Sequence, residues 1–525
     1  MTRSIVIMTV CAGLLACNGG DDKGKPDKND TDTTDTDTTD TDTTDTDTTP
    51  DPVDADGDGF NEDDDCDDSD GTVYPGAVEL CDHIDNDCDA QTPIDFDAWI
   101  PDDFATVADA AASNVDAIVC VETGTWDAQG IQPQAELYLL GRGIGETFLD
   151  GGNEQMFESD FALGMGSMTI LNAGHDGIDS DLAGLAELTA DFTIEDVLID
   201  HPVQAGWHGY LVAAVEADIY VRDVEIDSPD IHAASHWYGF FYTYDGALDV
   251  DGLDIHDGTF VSDTDIYGTL YHHLGPVDIA NVSVRYSTFT APSLYGALFC
   301  EEESVDTSTL SGLELIGNSF DVVEFYGALS LDELDTDVNV ENIEILGNSL
   351  VTDLTYGWLG YWTHTYGSGR WDNLLIAGNH QQAAVDPAPV IDEITGTNSG
   401  SNWTIAYNTN SAPAGVGLIV LPDDWTLRNL DITSNDSDPG EALLSGFGTI
   451  DADYVNSFDS DANGVIDDGN GTSTPAHYAQ SDPAYVYSED DAVDWDLHPD
   501  VGSPLIDAGD PAILDADGST RRWSS

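Results

Sequence analysis

The stretch Asn342-Ile343-Glu344-Ile345-Leu346-Gly347-Asn348 decides the fold, because its pattern recurs along most of the chain. A polar residue or glycine is followed by apolar residues at alternate positions, which is the two-residue period of a β-strand. The pattern begins at Asp196, Asp223, Gly252, Asn281, Gly312, Asn342, Asn373, Asn402 and Asn429, at intervals of 27 to 31 residues. A period of about 29 residues predicts a solenoid of stacked coils.

Two further series keep the same period. Tyrosine-glycine pairs occur at Tyr238-Gly239, Tyr267-Gly268, Tyr295-Gly296, Tyr326-Gly327 and Tyr356-Gly357, and asparagines follow the repeat start by six residues at Asn318, Asn348, Asn379, Asn408 and Asn435. Stacked strands lie ~4.8 Å apart and align equivalent side chains. The asparagines therefore predict an amide ladder, and the tyrosines an aromatic stack beside a glycine bend. Helical repeats of similar length would show 3.6-residue periodicity and leucine-rich repeats an L-x-x-L-x-L signature, and neither appears, so the fold class is all-β.

The start of the repeat region resembles a known family. Residues 104–113 predict a short amphipathic helix, and residues 117–126 and 137–152 follow as the first strands. This arrangement resembles the N-terminal cap and first coil of pectate-lyase-like proteins, in which a cap covers the core of the first coil. Residues 503–511 are similar to the terminal segment of such bacterial proteins. The resemblance implies a right-handed parallel β-helix over 93–445 and C-terminal coils and tail over 446–525.

The N-terminus predicts export. Arg3 precedes an apolar run over residues 5–16 that is too short to span a bilayer, which is typical of a signal peptide. Leu14-Leu15-Ala16-Cys17 resembles the lipobox of bacterial lipoproteins, which implies a signal peptide over 1–16 and an acylated Cys17 in the outer membrane at the cell surface. An ordinary secretory peptide cut near Ala16 is the alternative. The Thr/Asp-rich residues 17–53 predict a disordered tether.

The charge of the chain restricts its partners. The sequence has 104 acidic residues against 11 Lys and Arg, which gives a formal net charge of −93. A surface this negative repels nucleic acid and anionic polysaccharide, and it favours bound divalent cations. We therefore expect a monomer that binds no nucleic acid and takes up metal ions.

Three acidic loops predict Ca²⁺ sites, because hard oxygen ligands at this spacing suit that ion. The first places Asp54, Asp56, Asp58, Phe60, Glu62 and Asp65 at positions 1, 3, 5, 7, 9 and 12 of an EF-hand-type loop, with Gly59 at the turn. A weaker second set is Asp68, Asp70 and Glu79, and a third is Asp459, Asp461, Asn463, Val465 and Asp467. Asp65 is shorter than the usual bidentate glutamate of such loops.

Cysteines accompany the first two loops within residues 54–92. Cys66, Cys81 and Cys88 and the acidic residues around them closely resemble the Asp/Cys metal-binding motif of bacterial surface proteins; an acidic spacer without metal is the alternative. Export favours disulfides, and one is expected among the three cysteines. The cysteine left over is predicted to bond Cys120. Cys300 lies several coils away from Cys120 and is expected to remain a thiol.

Catalytic residues are harder to identify in so acidic a chain. The strands after the tyrosine-glycine pairs carry Tyr244 and Asp245, His272 and His273, Glu301 and Glu302, Asp332 and Glu333, and Trp362 and His364. Stacked coils would align these residues into an aromatic and carboxylate groove. Apart from Arg222 and Arg428, which both precede repeat starts, the arginines share no common register: Arg142, Arg285 and Arg370 fall elsewhere, which disfavours a lyase that needs arginines to hold uronate.

We therefore predict a non-catalytic, calcium-stabilised surface protein that binds extracellular glycan or protein. The alternative is a polysaccharide-active enzyme, a glycosidase rather than a lyase. In that alternative, two carboxylates from Glu301, Glu302, Asp332 and Glu333 would do the chemistry.

Overall fold

The computed structural model describes residues 54–480, apart from 62–64, 76, 78–80, 82–83, 85, 87, 89–95, 176–182, 205–207, 303–306, 335, 365–367, 384–396, 411–418, 422, 434, 436–442, 447, 459–465 and 468–471. Among these residues, no helix is long and apolar enough to cross a membrane.

The strands fall into four sheets, A to D, and the strand Leu163–His175 pairs with members of both sheets A and C. Sheet A contains Ala98–Ile100, Ala117–Val121, Gly124–Asp127, Leu137–Leu140, Thr147–Glu154, Leu163–His175, Phe192–Asp200, Ile219–Asp227, Leu248–His256, Val277–Arg285, Ser308–Ile316, Val338–Leu346, Ser368–Ala377, Thr397–Ala406, Trp425–Thr433, Ile450–Phe458 and Tyr478–Ala479.

Sheet B contains Phe157–Ser159, Ala186–Leu188, Val212–Val215, Phe241–Tyr244, Leu270–His273, Phe299–Glu302, Leu329–Leu334 and Gly360–His364. Sheet C contains Val203–Gln204, His208–Gly209, Asp230–Ala233, His236–Trp237, Thr259–Ser262, Asp265–Ile266, Thr288–Leu294, Ser319–Phe325, Ser349–Thr352, Leu354–Thr355, His380–Ala383 and Thr409–Asn410. Sheet D contains Ile419–Leu421, Leu444–Gly446, Ile466–Asp467 and Thr472–Ser473.

In the central coils the chain passes through sheets A, C and B and then returns to sheet A one rung further along, whereas the coils after Thr397–Ala406 and Trp425–Thr433 include strands of sheet D. For example, Ile219–Asp227 in sheet A is followed by strands of sheets C and B before the chain re-enters sheet A at Leu248–His256. Neighbouring coils pair in parallel, with Ile219 opposite Leu248 and Leu248 opposite Val277. The predicted parallel β-solenoid with coils of about 29 residues is confirmed. Parallel pairing extends to Ile450–Phe458, which lies within the residues 446–525 that the sequence assigns to C-terminal coils and tail.

The residues that begin each sequence repeat adopt a left-handed backbone in the middle of the sheet A strands. Their φ angles are positive: Asp196, Asp223, Gly252, Asn281, Gly312, Asn342, Asn373, Asn402 and Asn429 lie between 49° and 84°. Aspartate, asparagine and glycine tolerate this region best among the amino acids, which explains why these nine positions use only these three. Ser167 and Tyr454 adopt the same conformation at the equivalent positions of the flanking strands. The polar start of the repeat is therefore a backbone requirement at a bend in each strand.

The predicted asparagine ladder is present and buried. The amide of Asn348 donates to Asn379 Oδ1 over 2.9 Å, and the same bond links Asn379 to Asn408 and Asn408 to Asn435. Each amide also bonds to main-chain groups at the turn after the sheet A strand, as Asn379 does to the Ile345 carbonyl. The ladder pairs backbone groups that would otherwise be buried without partners.

The interior of the solenoid is apolar and aromatic. Large side chains with almost no exposed surface include Trp237, Trp358, Trp371, Trp403 and Trp425. Phe260, Phe289 and Phe320 stack with ring centroids 4.6 and 5.1 Å apart. At the N-terminal end, the predicted capping helix is Val107–Ala111, whose first turn is capped by the Thr106 hydroxyl. Buried Val107, Ala110 and Ala111 place this helix over the first coil.

Candidate functional site

The pleat of sheet B divides the predicted groove between two faces. We define the inner column as Thr243, His272, Glu301 and Leu331, and the outer column as Tyr244, His273, Glu302 and Asp332; within each column, successive residues are register partners on neighbouring coils. His272 and Glu301 are fully buried, whereas His273 and Glu302 are only partly buried. The alternation of strand side chains therefore removes His272 and Glu301 from any surface groove.

The inner column forms a polar cluster within the apolar core. Nδ1 of His272 lies 3.6 Å from Oε1 of Glu301, and its Nε2 lies 3.0 Å from the Gly246 carbonyl oxygen. The Ser308 hydroxyl lies 2.8 Å from each carboxylate oxygen of Glu301. The Ser308 hydroxyl and the Gly246 carbonyl offset part of the cost of burying the two side chains, whereas Nδ1 of His272 is buried without a hydrogen-bond partner. Glu301 is therefore a structural residue and is removed from the alternative catalytic set.

Two tyrosine ladders meet beside the outer column. The corner ladder, Tyr238, Tyr267, Tyr295, Tyr326 and Tyr356, stacks with centroids 4.3 to 5.0 Å apart, as the tyrosine-glycine series predicts. The strand ladder stacks Tyr242 on Tyr271 at 5.2 Å. Tyr271 also meets Tyr238 and Tyr267 edge to face at 5.3 and 5.8 Å. Such contacts stabilise aromatic pairs beyond simple burial.

Glu302 lies where these ladders meet. The Tyr271 hydroxyl donates to Glu302 Oε2 over 2.9 Å. Burial and then the negative charge of Glu302 raise the pKa of Tyr271 well above its usual value. Burial, followed by the neighbouring Tyr238, Tyr244 and Glu302, raises the pKa of Tyr242 to about 12. The carboxylate of Glu302 is thus surrounded by phenols that remain protonated at neutral pH.

The other residues of the predicted groove are placed as follows. Tyr244 and His273 stack at 4.5 Å in the outer column. Asp245 follows as an exposed turn residue with a positive φ of 58°. Asp332 and Glu333 lie in Leu329–Leu334, and Trp362 and His364 in Gly360–His364, but these four side chains lie outside the described part of the chain. The backbone register makes Asp332 the partner of Glu302 on the next coil.

The arginines are paired elsewhere. Arg222 contacts Asp249 at 2.7 Å and Arg428 contacts Asp451 at 2.9 Å, while Arg285 pairs with Asp254 and Arg370 with Asp372. Arg142 donates to the Cys81 carbonyl. All five thus act away from the outer column.

The first acidic loop converges on a common point. Carboxylate oxygens of Asp54, Asp56 and Asp58 lie within 4.8 Å of one another. One oxygen each of Asp56, Asp58 and Asp65 is buried without a hydrogen-bond partner. Burial, followed by the charges of Asp58, Asp65 and Asp54, raises the pKa of Asp56. Buried anionic oxygens that face one another without donors have the chemistry of a cation site.

Glycines and aromatic packing shape this loop. Gly59 has a φ of 104°, as the sharp turn at position 6 requires. The Asp54 carboxylate accepts from the backbone N–H groups of Gly57 and Gly59 over 2.6 and 3.1 Å. The ring of Phe60, whose carbonyl is the predicted ligand at position 7, stacks on Tyr74 at 5.5 Å.

The structure describes only some residues of the second and third acidic sets. Asp68 accepts from the Ala55 N–H and so supports the first loop, and Asp70 accepts from the backbone N–H and hydroxyl of Thr72, which lower its pKa. Asp467 lies in the strand Ile466–Asp467. The remaining predicted ligands lie outside the described residues: Glu62, Glu79, Asp459, Asp461, Asn463 and Val465. Their roles stay predictions.

Two disulfides fix the cysteine-bearing segment. Cys66 bonds Cys88, with Cα atoms 5.9 Å apart, and Cys81 bonds Cys120, with Cα atoms 5.6 Å apart. Cys300 is buried and forms no disulfide. Because Cys66 and Cys88 are joined as a disulfide, neither sulfur is a thiolate ligand, so metal binding here depends on oxygen.

Comparisons with known proteins separate the two parts of the chain. Residues 65–92 match the Cu-binding MopE family, described as a metal-binding motif. No curated protein sequence matches the chain. Solved structures similar to this chain are the A-modules of the Azotobacter vinelandii mannuronan C-5 epimerases AlgE6 and AlgE4. They show 12% and 14% identity, cover 72% and 71% of this chain and 93% and 94% of their own, and give TM-scores of 0.31 and 0.24.

A mannuronic acid specific polysaccharide family 6 lyase from human gut microbiota is also similar, at 9% identity over 72% of this chain and 83% of its own, with a TM-score of 0.16. All three are polysaccharide-active enzymes, and this contradicts the prediction of a non-catalytic adhesion protein. At these identities the likeness is one of fold. The case for an enzyme therefore rests on the side chains of this chain.

Proposed function

We propose that this chain is a glycoside hydrolase that acts on a neutral extracellular polysaccharide at the outer column. The observation that carries the proposal is the position of Glu302, which accepts a hydrogen bond from Tyr271 where the two tyrosine ladders meet. A carboxylate beside aromatic side chains at a partly exposed surface combines an acidic catalytic group with a sugar-binding face. Because the tyrosine faces stack on one another, the sugar contacts their edges and hydroxyl groups.

The charge of this face favours a neutral substrate. None of the described strands of sheet B contains Arg or Lys, whereas Glu302 adds negative charge to its outer column. A polyuronate would meet like charges here without a cation to hold its carboxylates. Hydroxyl groups of a neutral sugar can instead bond to phenols and carboxylates.

The backbone register suggests how two carboxylates would cooperate. Glu302 and Asp332 occupy equivalent positions on adjacent strands, which lie ~4.8 Å apart. Retaining glycosidases hold their two carboxyl groups about 5 to 5.5 Å apart. We assign Glu302 as the nucleophile, because the Tyr271 hydroxyl donates a hydrogen bond to its carboxylate and orients it. Asp332 is assigned as the general acid and base.

The test is a hydrolysis screen of the full chain on neutral and uronate polysaccharides. Glu302→Gln should lower the rate of reducing-sugar release by about 100-fold or more. Glu324→Gln is the matched control, because Glu324 likewise accepts from a tyrosine hydroxyl, that of Tyr326, over 3.0 Å. Unchanged hydrolysis by Glu302→Gln would overturn the proposal, as would cleavage of uronate polymers alone with release of unsaturated products.

The ion and the cell location belong to the same proposal. Two features of the first loop support Ca²⁺ over softer ions. The loop offers carboxylate oxygens, and the nearby sulfurs of Cys66 and Cys88 are joined in a disulfide. Leu14-Leu15-Ala16-Cys17 supports export as an outer-membrane lipoprotein that presents the β-helix to extracellular glycan. Cys17→Ser should release the protein from membranes, whereas retention after a salt wash would show a different anchor.

A further inference from the structure

A second cluster of metal-binding side chains lies away from the outer column and from the first acidic loop. It is formed at the ends of three consecutive sheet A strands, where Asp200, Asp227 and His256 are register partners. His201 and Asp257 follow the first and third of these residues in the adjoining turns. Potential ligand atoms of Asp227, His256 and Asp257 lie within 4.8 Å of one another, as do those of Asp200, His201 and Asp227.

Both ring nitrogens of His256 face carboxylates. Its Nδ1 lies 3.1 Å from Oδ2 of Asp257 and 3.6 Å from Oδ1 of Asp227. Its Nε2 lies 2.9 Å from Oε1 of Glu225, on the opposite side of the ring. A carboxylate behind the distal nitrogen fixes the tautomer and aims the other nitrogen at a metal. The Ser228 hydroxyl donates to Oδ1 of Asp227 over 2.6 Å and holds that carboxylate in place.

On the coils before and after the cluster, the equivalent strand position holds a residue that does not bind metal ions. Leu171 precedes Asp200 in this register, and Arg285 follows His256. Arg285 is paired with Asp254 and contributes a positive charge that a cation would avoid. The metal-binding residues are thus confined to three rungs.

We propose that Asp227, His256 and Asp257 bind one divalent transition-metal ion of the Zn²⁺ class, with Glu225 positioning His256. Imidazole together with carboxylates suits Zn²⁺, Ni²⁺ or Cu²⁺, whereas the oxygen-only first loop suits Ca²⁺. Asp200 and His201 extend the cluster to the preceding coil through the shared Asp227. The ion would join the turns of successive coils and so stabilise the stack.

The experiment is calorimetric titration of the full chain with Zn²⁺ in millimolar Ca²⁺, so that Ca²⁺ fills the oxygen sites. We expect one binding event that is lost in His256→Ala and in Asp257→Asn. Asp257 is exposed and has a φ of 57°, a conformation that asparagine tolerates, so this second variant keeps the fold. Glu225→Gln should weaken Zn²⁺ binding by about 10- to 100-fold.

His232→Ala is the matched control, because His232 pairs with Asp230 at 3.0 Å outside the cluster. The affinity of the His232→Ala variant for Zn²⁺ should equal that of the unmodified chain. Undiminished binding by both His256→Ala and Asp257→Asn would overturn the proposal. Loss of the binding event in millimolar Ca²⁺ would overturn it as well, because such a site would prefer oxygen-only coordination.

Discussion

At two consecutive rungs, the inner and outer columns of sheet B contain the same amino acid in opposite environments. His272 and His273 are neighbours in one strand, and Glu301 and Glu302 are neighbours in the next. The first member of each pair is fully buried, whereas the second lies at the partly exposed outer face. The two members of each pair lie on opposite faces because successive side chains of a β-strand alternate between its two faces.

This difference shows that residue type does not assign the role of a carboxylate in a solenoid. Glu301 contacts Ser308 and His272 in the core and cannot meet a polymeric substrate. Glu302 contacts a tyrosine cluster that borders solvent. The inner carboxylate of Glu301 therefore affects the stability of the fold. The outer carboxylate of Glu302 is available for catalysis.

The largest expected change in stability comes from breaking the inner column. Glu301→Leu removes the partner of His272 and Ser308 and leaves their polar groups buried. Removing one member of a buried pair costs about 3 to 5 kcal/mol, and urea unfolding monitored by circular dichroism would measure that loss. Glu302→Gln should change the free energy of unfolding by less than about 1 kcal/mol.

A double variant separates the loss of the polar contact from any misfit of the leucine side chain in the core. His272→Leu combined with Glu301→Leu removes both polar partners and should recover much of the lost stability. If Glu302→Gln destabilises the protein as much as Glu301→Leu does, the assignment of the two columns is wrong.

Single carboxylate oxygens that lack a hydrogen-bond donor extend the comparison to the first acidic loop. Unlike Glu301, Asp56 and Asp58 each have a buried oxygen without a hydrogen-bond donor. Ca²⁺ should therefore raise the melting temperature, with about 2.7 kcal/mol of stabilisation when free Ca²⁺ is about 100 times Kd. Differential scanning calorimetry with Ca²⁺ and with EGTA measures this effect.

Asp56→Asn should remove most of the Ca²⁺ effect on melting. Asp67→Asn is its control, because Asp67 lies nearby and accepts from Ser69, not from the loop. An equal response of both variants to Ca²⁺ would place the ion elsewhere.

A smaller effect is expected in alkaline solution. Burial and nearby charges raise the pKa of Tyr242 to about 12, above about 10 in the unfolded chain. Between these values the folded protein binds more protons than the unfolded chain does, so stability should fall as the pH rises through this window. Ultraviolet titration of phenol ionisation, together with melting at each pH, measures both changes.

The two columns should differ in this titration. Glu302→Gln removes a negative charge that raises the pKa values of Tyr238, Tyr242, Tyr267 and Tyr271, so their ionisation should begin at lower pH. Glu301 is among the causes of none of these four shifts, and Glu301→Gln should leave the curve in place. Identical curves for the two variants would contradict the arrangement of Glu302 among the phenols.

The repeat made the coil, its period and the asparagine ladder predictable, because Asp, Asn and Gly recur where the backbone needs a positive φ. The sequence also indicates which alternate side chains of the sheet B strands face the core. Phe241, Leu270, Phe299 and Leu329 are buried two positions before the inner column and therefore share its face. The groove prediction combined both faces because it treated His272-His273 and Glu301-Glu302 as units.

The cluster at Asp227 and His256 was missed for another reason. Asp200, Asp227 and His256 each follow a repeat start by four residues, so the period already aligns them, but no residue type recurs along this column that would single it out. The side-chain geometry of Asp56, Asp58 and Asp65 likewise needed coordinates, although their spacing already indicated a cation site.

Covalent trapping tests the central claim most directly. A retaining enzyme forms a glycosyl intermediate on its nucleophile, and 2-deoxy-2-fluoro glycosyl fluorides of neutral sugars arrest that intermediate. After incubation of the full chain with a panel of these reagents, peptide mass spectrometry should find one sugar on Glu302, and Glu302→Gln should remain unlabelled. A sugar attached to Glu301, or to a carboxylate outside the outer column, would contradict the account.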